Sequence, residues 1–457
     1  MPDTLPDASL ETLGYKPQLR RVLTRMDLVL YGLVILTPTA PYPVFGIVQK
    51  LSNGHAALCF LVAMVGMLFT AASYGQMSGA FPTAGSTYTY TQRGLNEHVG
   101  FLAGWAMILD YLLIPLLSVV YAALTAARLV PQVPYLAWAV LFSAAITLTN
   151  LRGVKVTAKA SRYLMWTMSV CAVLFIVLSV RKVLLTGGAG ALLRPDLVFN
   201  PSTFSLRPLM LGAGVATLSY IGFDAISTLA EDTLHPERDL SFATVLVCLV
   251  QTFICVVTVY CAALVWPDYR SFPDPETAIL DIGRLVGGQA MFGLITLALL
   301  VAGLASAMTG QAGASRLLFG MGRDGVISRR FFGYVDPKTA SPTRNVYLMG
   351  AVSLAGCMLA RFEFLVQLLN FGAFVGFIMV NLSVFSHYYL RLHRRSGSDL
   401  FFYCISPLSG ALICFYVWIS LADSAKLIGF AWMFAGMIYL AFLTNGFRKP
   451  PVKLEVS

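Results

Sequence analysis

"ILTPTAPYPVFG", Ile35 to Gly46, interrupts a run of residues that otherwise reads as a membrane-spanning helix. Pro38, Pro41 and Pro43 each lack a backbone donor and clash with the preceding turn, so Thr37 to Pro43 is not expected to be continuous α-helix. Non-helical backbone at membrane depth is tolerated only where it is buried in protein or lines a water-filled cavity. Taken alone, the stretch fits a simple proline kink as well as it fits an opened helix.

A counterpart lies five apolar spans further on. "TLSYIGFDAIS", Thr217 to Ser227, places Gly222 and Asp224 in the middle of the sixth span. Because five is odd, a second five-span unit would enter the bilayer from the opposite side, and the two units would be inverted repeats. A matched pair of interrupted helices is the best sequence pointer to the midplane site of a secondary transporter. Half-helix N-termini there offer unpaired N–H groups and positive dipole ends, and half-helix C-termini offer carbonyls. The candidate substrate site comprises Thr37, Pro38, Thr39, Ala40, Pro41 and Tyr42 at the first break, and Leu218, Ser219, Tyr220, Gly222, Phe223 and Asp224 at the second.

The composition agrees with lipid as the solvent. The 457 residues are 57% hydrophobic and 12% charged, whereas soluble domains are about 45–50% apolar and about 25% charged. Uncharged stretches such as Ala56 to Ala72, Leu164 to Val180 and Gly350 to Ala360 recur along the chain. Counting them gives about twelve spans on the 20-residue criterion, with approximate bounds 27–50, 55–80, 98–128, 133–151, 160–183, 208–232, 239–266, 277–321, 344–360, 363–390, 402–422 and 426–447. The eighth is long enough to overshoot the bilayer or break. Met1 to Tyr15 is polar and acidic, unlike a secretory signal, so the first helix is expected to stay as an anchor.

With the N-terminus in the cytoplasm, roughly 22 of the 32 Lys/Arg fall inside and about 10 outside. The inner set includes Arg20, Arg21, Arg25, the cluster Arg152/Lys155/Lys159/Arg162, Arg323/Arg329/Arg330 and Arg391/Arg394/Arg395. Both ends are therefore expected in the cytoplasm, as segments 1–26 and 448–457. The net charge of +10 is explained by this topology, because the basic residues lie at helix ends and form no tract for nucleic acid. The eight cysteines sit in or beside apolar segments without CxxC spacing, which predicts buried thiols and neither disulfides nor a metal site. The five histidines are scattered at span ends as interfacial residues, with no nucleophile beside a base and no metal-ligand spacing, so no enzyme, cofactor or metal is expected.

Acids inside the spans carry the chemistry. A carboxylate near the bilayer centre costs about 2.5–3.5 kcal/mol on insertion scales. Asp110, in "GFLAGWAMILDYLLIP", lies about 15 Å into the third span at 1.5 Å per residue. Asp224 fits two roles, as N-cap of the second half-helix or as a substrate contact, and one residue can serve both. Glu231 lies seven residues on, on the same helical face, with a structural or gating role; Glu231 and Asp232 are read as solvated or paired with Arg238. The acids suggest a cationic group in the substrate, or a proton that accompanies it. Tyr163 to Val180 offers no lysine to stand in for a bound cation, while Ser306 and Thr309 are possible sodium ligands or helix-packing hydroxyls.

"SYIGFDAISTLAEDTLHPERDL" resembles the sixth-helix motif of the amino acid, polyamine and organocation transporter superfamily. "HVGFLAGWAMILDYLLIP", "RLLFGMGRDGV", "FFGYVDPK", "LLNFGAFVGFIMVNLSVFSHYY" and "FRKPP" resemble bacterial putrescine importers. The resemblance implies an all-α integral membrane protein with twelve transmembrane helices. These would form a LeuT-like five-plus-five inverted repeat (27–183 and 208–390) and two further helices (402–447), with helices 1 and 6 interrupted. It implies ion-coupled uptake across the bacterial inner membrane, by protons with sodium as the alternative, of a polyamine or smaller monoamine. A zwitterionic amino acid is the other substrate reading. An amine-contact role comes onto Asp110, Tyr111, Asp224 and Glu231. The chain departs from the importers at Pro43, where "TPTAPYPVFG" stands against a pattern like TPMTVFDTFG that carries an acid. It also lacks the Gly-x-Gly of amino-acid carriers at this break, and Leu218 stands where many relatives have a bulky gating aromatic.

Overall fold

The structure is a computed structural model that describes residues 19, 21–359, 362–421 and 423–451. The polar stretch read over Met1 to Tyr15, Arg20 and the last six residues of the tail lie outside these. Among the described residues every regular element is helical. Thr24 caps α1 (Arg25–Leu36): its hydroxyl accepts the Asp27 N–H at 3.3 Å, and the Asp27 carboxylate accepts the Thr24 N–H at 3.0 Å. The helix stops at Thr37, whose φ of +60° no continuing helix allows. Two short turns follow, Ala40 N–H to Thr37 O and Tyr42 N–H to Thr39 O, each at 3.0 Å, before α2 (Phe45–Leu51) resumes. The first span is opened and does not merely kink.

The chain continues through α3 (Ala56–Ala80), α4 (Ser86–Gly94), α5 (Glu97–Leu129), α6 (Tyr135–Leu151), α7 (Val154–Gly187) and α8 (Leu206–Ala216). After α8, a 3-10 turn (Thr217–Tyr220) leads to an extended Ile221, a left-handed Gly222 with φ of +113°, and a second 3-10 segment, Phe223–Asp232. Then follow α9 (Pro236–Val265), α10 (Ala278–Arg323), α11 (Arg329–Phe332), α12 (Thr343–Leu359) and α13 (Phe362–Val384), which runs on as π-helix through Phe385–Arg391. The short α14 (Ser398–Leu400) leads through π-helical Phe401–Ile405 into α15 (Ser406–Ile419), and α16 (Asp423–Leu443) ends the series. The long eighth run breaks at Gly287 and Gly288, the latter at φ of +63°.

Nine helices among the described residues are long and apolar enough to cross a membrane, and the chain is a multi-pass membrane protein. Helix α4 was not foreseen. Its sequence, STYTYTQRG, has no apolar stripe, yet most of it is buried. Two of its hydroxyls are satisfied laterally, Thr87 Oγ1 by Tyr74 Oη at 2.7 Å and Ser86 Oγ by Ser227 Oγ at 2.5 Å.

The two interrupted elements lie side by side and antiparallel. Helix α1 packs on Phe223–Asp232, and α2 packs on α8. Gly32 allows the first contact, since a Cβ there would sit 2.5 Å from Ile226 Cδ1. Where the two elements end, the N–H groups of Val22 and Leu23 donate to the Asp232 carbonyl at 2.8 and 2.9 Å, and Leu234 N–H returns to Leu23 O at 3.0 Å. The first half of one broken element thus rests on the second half of the other.

Candidate functional site

Asp110 and Asp224 are fully buried and near enough for each to feel the other's charge. Asp110 stands on α5. Pro115, five residues on, has no N–H to give the Tyr111 carbonyl four residues before it, which loosens the helix beside the acid. From α13, Gly372 brings backbone against this point: a Cβ there would lie 2.6 Å from the Ala106 carbonyl and 3.3 Å from Asp110 Cβ. Tyr111, the next residue on α5, donates its hydroxyl to Asp224 Oδ2 at 2.5 Å. Neither oxygen of Asp110, nor Asp224 Oδ1, has a hydrogen-bond partner in the protein.

An unpaired buried carboxylate costs several kcal/mol. Asp110, with both oxygens bare, and Asp224, with one, call for a cation or a proton as the missing partner. The wall around them is aromatic. Tyr74 of α3 meets Phe223 edge-on at 5.6 Å between centroids, and Phe223 stacks on Phe377 of α13 at 5.2 Å. Tyr74 and Tyr111 both lie within electrostatic reach of the two acids. Sequence reasoning missed Tyr74 and Phe377, because an aromatic residue inside an apolar helix carries no periodic signal of its own.

The breaks supply polar atoms of a second kind. The hydroxyls of Thr39 and Ser219, one from each break, are buried without partners. The Thr37 carbonyl accepts the Gln251 side-chain amide at 3.0 Å. Pro38 and Pro41 are buried, Ala40 and Pro43 half-buried. Gly222 passes over Ile35, the residue two before the first break, with 3.2 Å between a built Cβ and Ile35 Cγ1. Gly222→Ala combines that contact with a left-handed backbone, so it is expected to cost roughly 1–2 kcal/mol of stability. Thermal unfolding in detergent would read this, and an unchanged midpoint would contradict the strain.

Other sequence candidates point elsewhere. Tyr220 spends its hydroxyl on Phe60 O at 3.2 Å and Thr252 Oγ1 at 3.0 Å, between α3 and α9. Tyr42 turns to Phe175 of α7, with centroids 5.6 Å apart. Leu218 is half-buried. Thr309 donates to the Ala305 carbonyl at 2.9 Å, within its own helix, while its carbonyl accepts the Tyr31 hydroxyl at 2.5 Å. Ser306 is half-buried one turn earlier. Asp224 makes no side-chain cap: the segment starts from Gly222, and its first 3-10 bond runs from Ala225 N–H to Gly222 O at 3.1 Å.

Glu231 and Asp232 require a correction. They are neither solvated nor paired with Arg238, which lies 3.7 Å from Asp239 instead. Both are buried, Glu231 held by Arg323 Nη1 at 2.8 and 2.9 Å and by the Ala84 N–H at 3.0 Å, and Asp232 by Arg316. The partners come from the end of α10, more than 80 residues along the chain, which local spacing could not reveal. His55 also differs from its interfacial reading: it is buried, with Nδ1 2.7 Å from Ser52 O and Nε2 3.2 Å from the Asn200 N–H donor. Seven of the cysteines are buried and Cys404 is partly exposed.

Comparison with known proteins agrees with this architecture. The family model described as amino acid permease matches residues 45–445. The chain is 36% identical over 449 residues to the low-affinity putrescine importer PlaP of Escherichia coli (strain K12), covering 96% of this chain and 97% of that one. It is 25% identical to the methylthioribose transporter of Bacillus subtilis (strain 168), covering 95% and 96%. It is 24% identical to the branched-chain amino acid permease BcaP of the same organism, covering 95% of each. The family and these relatives are transporters. With two opened helices, buried acids on and beside the second and a match over nearly its whole length, the chain belongs to the amino acid permease family, within the amino acid, polyamine and organocation transporter superfamily.

Proposed function

We propose that this protein is a secondary active importer of a small organic amine, putrescine-like or a smaller monoamine, working by alternating access with proton coupling. The observation that supports it is the pair Asp110 and Asp224: three of their carboxylate oxygens are buried without a protein partner, beside two opened helices. An ammonium group would supply the missing donors. Tyr111 would hold Asp224 in place, and the Thr39 and Ser219 hydroxyls would orient the rest of the substrate. Protonation of either acid would satisfy it between transport steps, which suits a proton as the coupling ion. A sodium ion at Ser306 and Thr309 is the alternative.

In this reading the chain crosses the bacterial inner membrane twelve times. Residues 27–183 and 208–390 form a LeuT-like inverted repeat, 402–447 add two helices, and both ends lie in the cytoplasm. Glu231 and Asp232 with their arginines then sit at the cytoplasmic end. They act as a gate that must part for release inward.

An amino-acid substrate is the second reading, favoured by the unpartnered Thr39 and Ser219 hydroxyls, which could donate to a carboxylate. Uptake into proteoliposomes under an imposed proton gradient separates the two. Amines without a carboxylate are expected to compete at least tenfold better than zwitterions of the same length, and competition by zwitterions alone would reject the amine reading.

A further inference from the structure

Outside the transport site, a surface cavity of about 450 Å³ opens where the start of α1 meets α7, with Leu23, Asp27, Lys159, Arg162, Tyr163 and Trp166 among its lining residues. Its position is fixed by the hydropathy of α7. Along α7 the uncharged run Tyr163 to Val180 follows directly on Lys159 and Arg162, so Tyr163 and Trp166 stand in its first turn. Residues three and four apart share a helix face, so one stripe presents cations first and aromatics next. That is the order found at a membrane–water interface, where basic residues and amphipathic rings meet the headgroups.

The charges in the cavity are unevenly used. Asp27 is satisfied by Arg162 Nη2 at 2.8 Å and by its own cap. Among the described residues, Arg162 makes no other side-chain hydrogen bond and Lys159 makes no ion pair. Once Asp27 is neutralised by Arg162, Lys159 leaves one positive charge in excess. Tyr163 and Trp166 are 65% and 67% exposed, so both rings are open to a ligand on this face. Below them Val170, Val173 and Val177 continue the stripe, all exposed. Cationic head, aromatic collar and aliphatic track together match one kind of ligand.

We propose that this cavity binds an acidic phospholipid. Its phosphate lies between Lys159 and the free face of Arg162, and one acyl chain runs past Trp166 along the valines. Such a lipid spans α7 and the start of α1, the half-helix that carries Asp27 and leads into the first break. Its occupancy therefore bears on how easily α1 moves during transport. The proposal does not depend on which substrate is carried.

The test is a lipid titration of the purified full-length protein in detergent, followed by thermal shift and by native mass spectrometry. Phosphatidylglycerol is expected to raise the midpoint and to stay bound, with phosphatidylethanolamine and inorganic phosphate giving neither effect. Lys159→Gln should weaken the apparent phosphatidylglycerol affinity about fivefold, since a basic side chain near an anionic lipid surface is worth about 1 kcal/mol. Trp166→Ala should weaken it without changing its salt dependence, while Lys159→Gln should reduce that dependence. Both side chains are exposed, so both variants are expected to fold. Equal response to phosphatidylethanolamine would overturn the proposal, as would an unchanged affinity in both variants. A response to inorganic phosphate alone would show an anion site without a lipid.

Discussion

Replacing Asp224 by Asn is expected to weaken amine binding by about 30-fold to several thousandfold, the equivalent of the 2–5 kcal/mol lost when one partner of a buried, hydrogen-bonded charge pair is removed. The substitution is nearly isosteric, and an amide oxygen can still accept the Tyr111 hydroxyl that now sits 2.5 Å from Asp224 Oδ2. Geometry is kept and charge is lost. Because the carboxylate is buried and its second oxygen has no protein partner, the fold itself does not need the charge, and the unliganded variant should be as stable as the parent or slightly more so. Asp110→Asn should behave alike, its two oxygens being equally unpartnered. Isothermal titration with a diamine and a monoamine on both variants checks this. Undiminished amine binding in both would sink the amine assignment, and loss confined to one would identify the acid that meets the ammonium group.

The second large effect is on stability and falls at the other cluster. Arg316→Met would leave Asp232 buried without its counter-charge, at an expected cost of about 3–5 kcal/mol. Arg316 also donates from Nη1 to the Ala312 carbonyl at 3.1 Å, within its own helix, so part of the loss is local. The double variant Arg316→Met/Asp232→Asn removes both charges and should recover most of the stability, because the penalty lies in the orphaned carboxylate and not in the lost attraction. Denaturation of the four proteins of this cycle in mild detergent measures the coupling. A double variant no better than Arg316→Met would mean that the pair is not what holds α10 to Phe223–Asp232. Glu231 with Arg323 adds a second link at the same end, and Tyr88 Oη reaches Asp324 at 2.9 Å, so α4, α10 and the end of the second broken element are locked together. In the orientation proposed above, these links are the ones that inward opening would have to break.

How much of this was legible in the chain differs from element to element. The opened first span was readable because three prolines cannot be accommodated in seven residues of helix, a constraint that acts within one turn. Gly222 and Asp224 marked the second break for the same local reason. The long apolar runs declared themselves by length, and the eighth, too long for one crossing, broke at its paired glycines. Helix α4 stayed hidden, since its burial depends on hydroxyl partners from α3 and from Phe223–Asp232. The partners of Glu231 and Asp232 stayed hidden too, and Arg238, seven residues from Glu231, was a local guess that the bundle overruled.

The sequence by itself therefore determined the class of protein, the two places where helices open, and which acids stand inside long apolar spans. Each of these follows from backbone sterics or from the cost of burying charge, and both act on a residue whatever its neighbours. Only the tertiary structure decided that the two openings lie antiparallel against one another, that Tyr111 reaches Asp224 while Asp110 is left bare, and that Tyr220 and Tyr42 turn away. Those outcomes depend on which helix faces meet. Packing of apolar surfaces sets that, and in a bundle where nearly every face is apolar, the pattern along the chain cannot tell one face from the next.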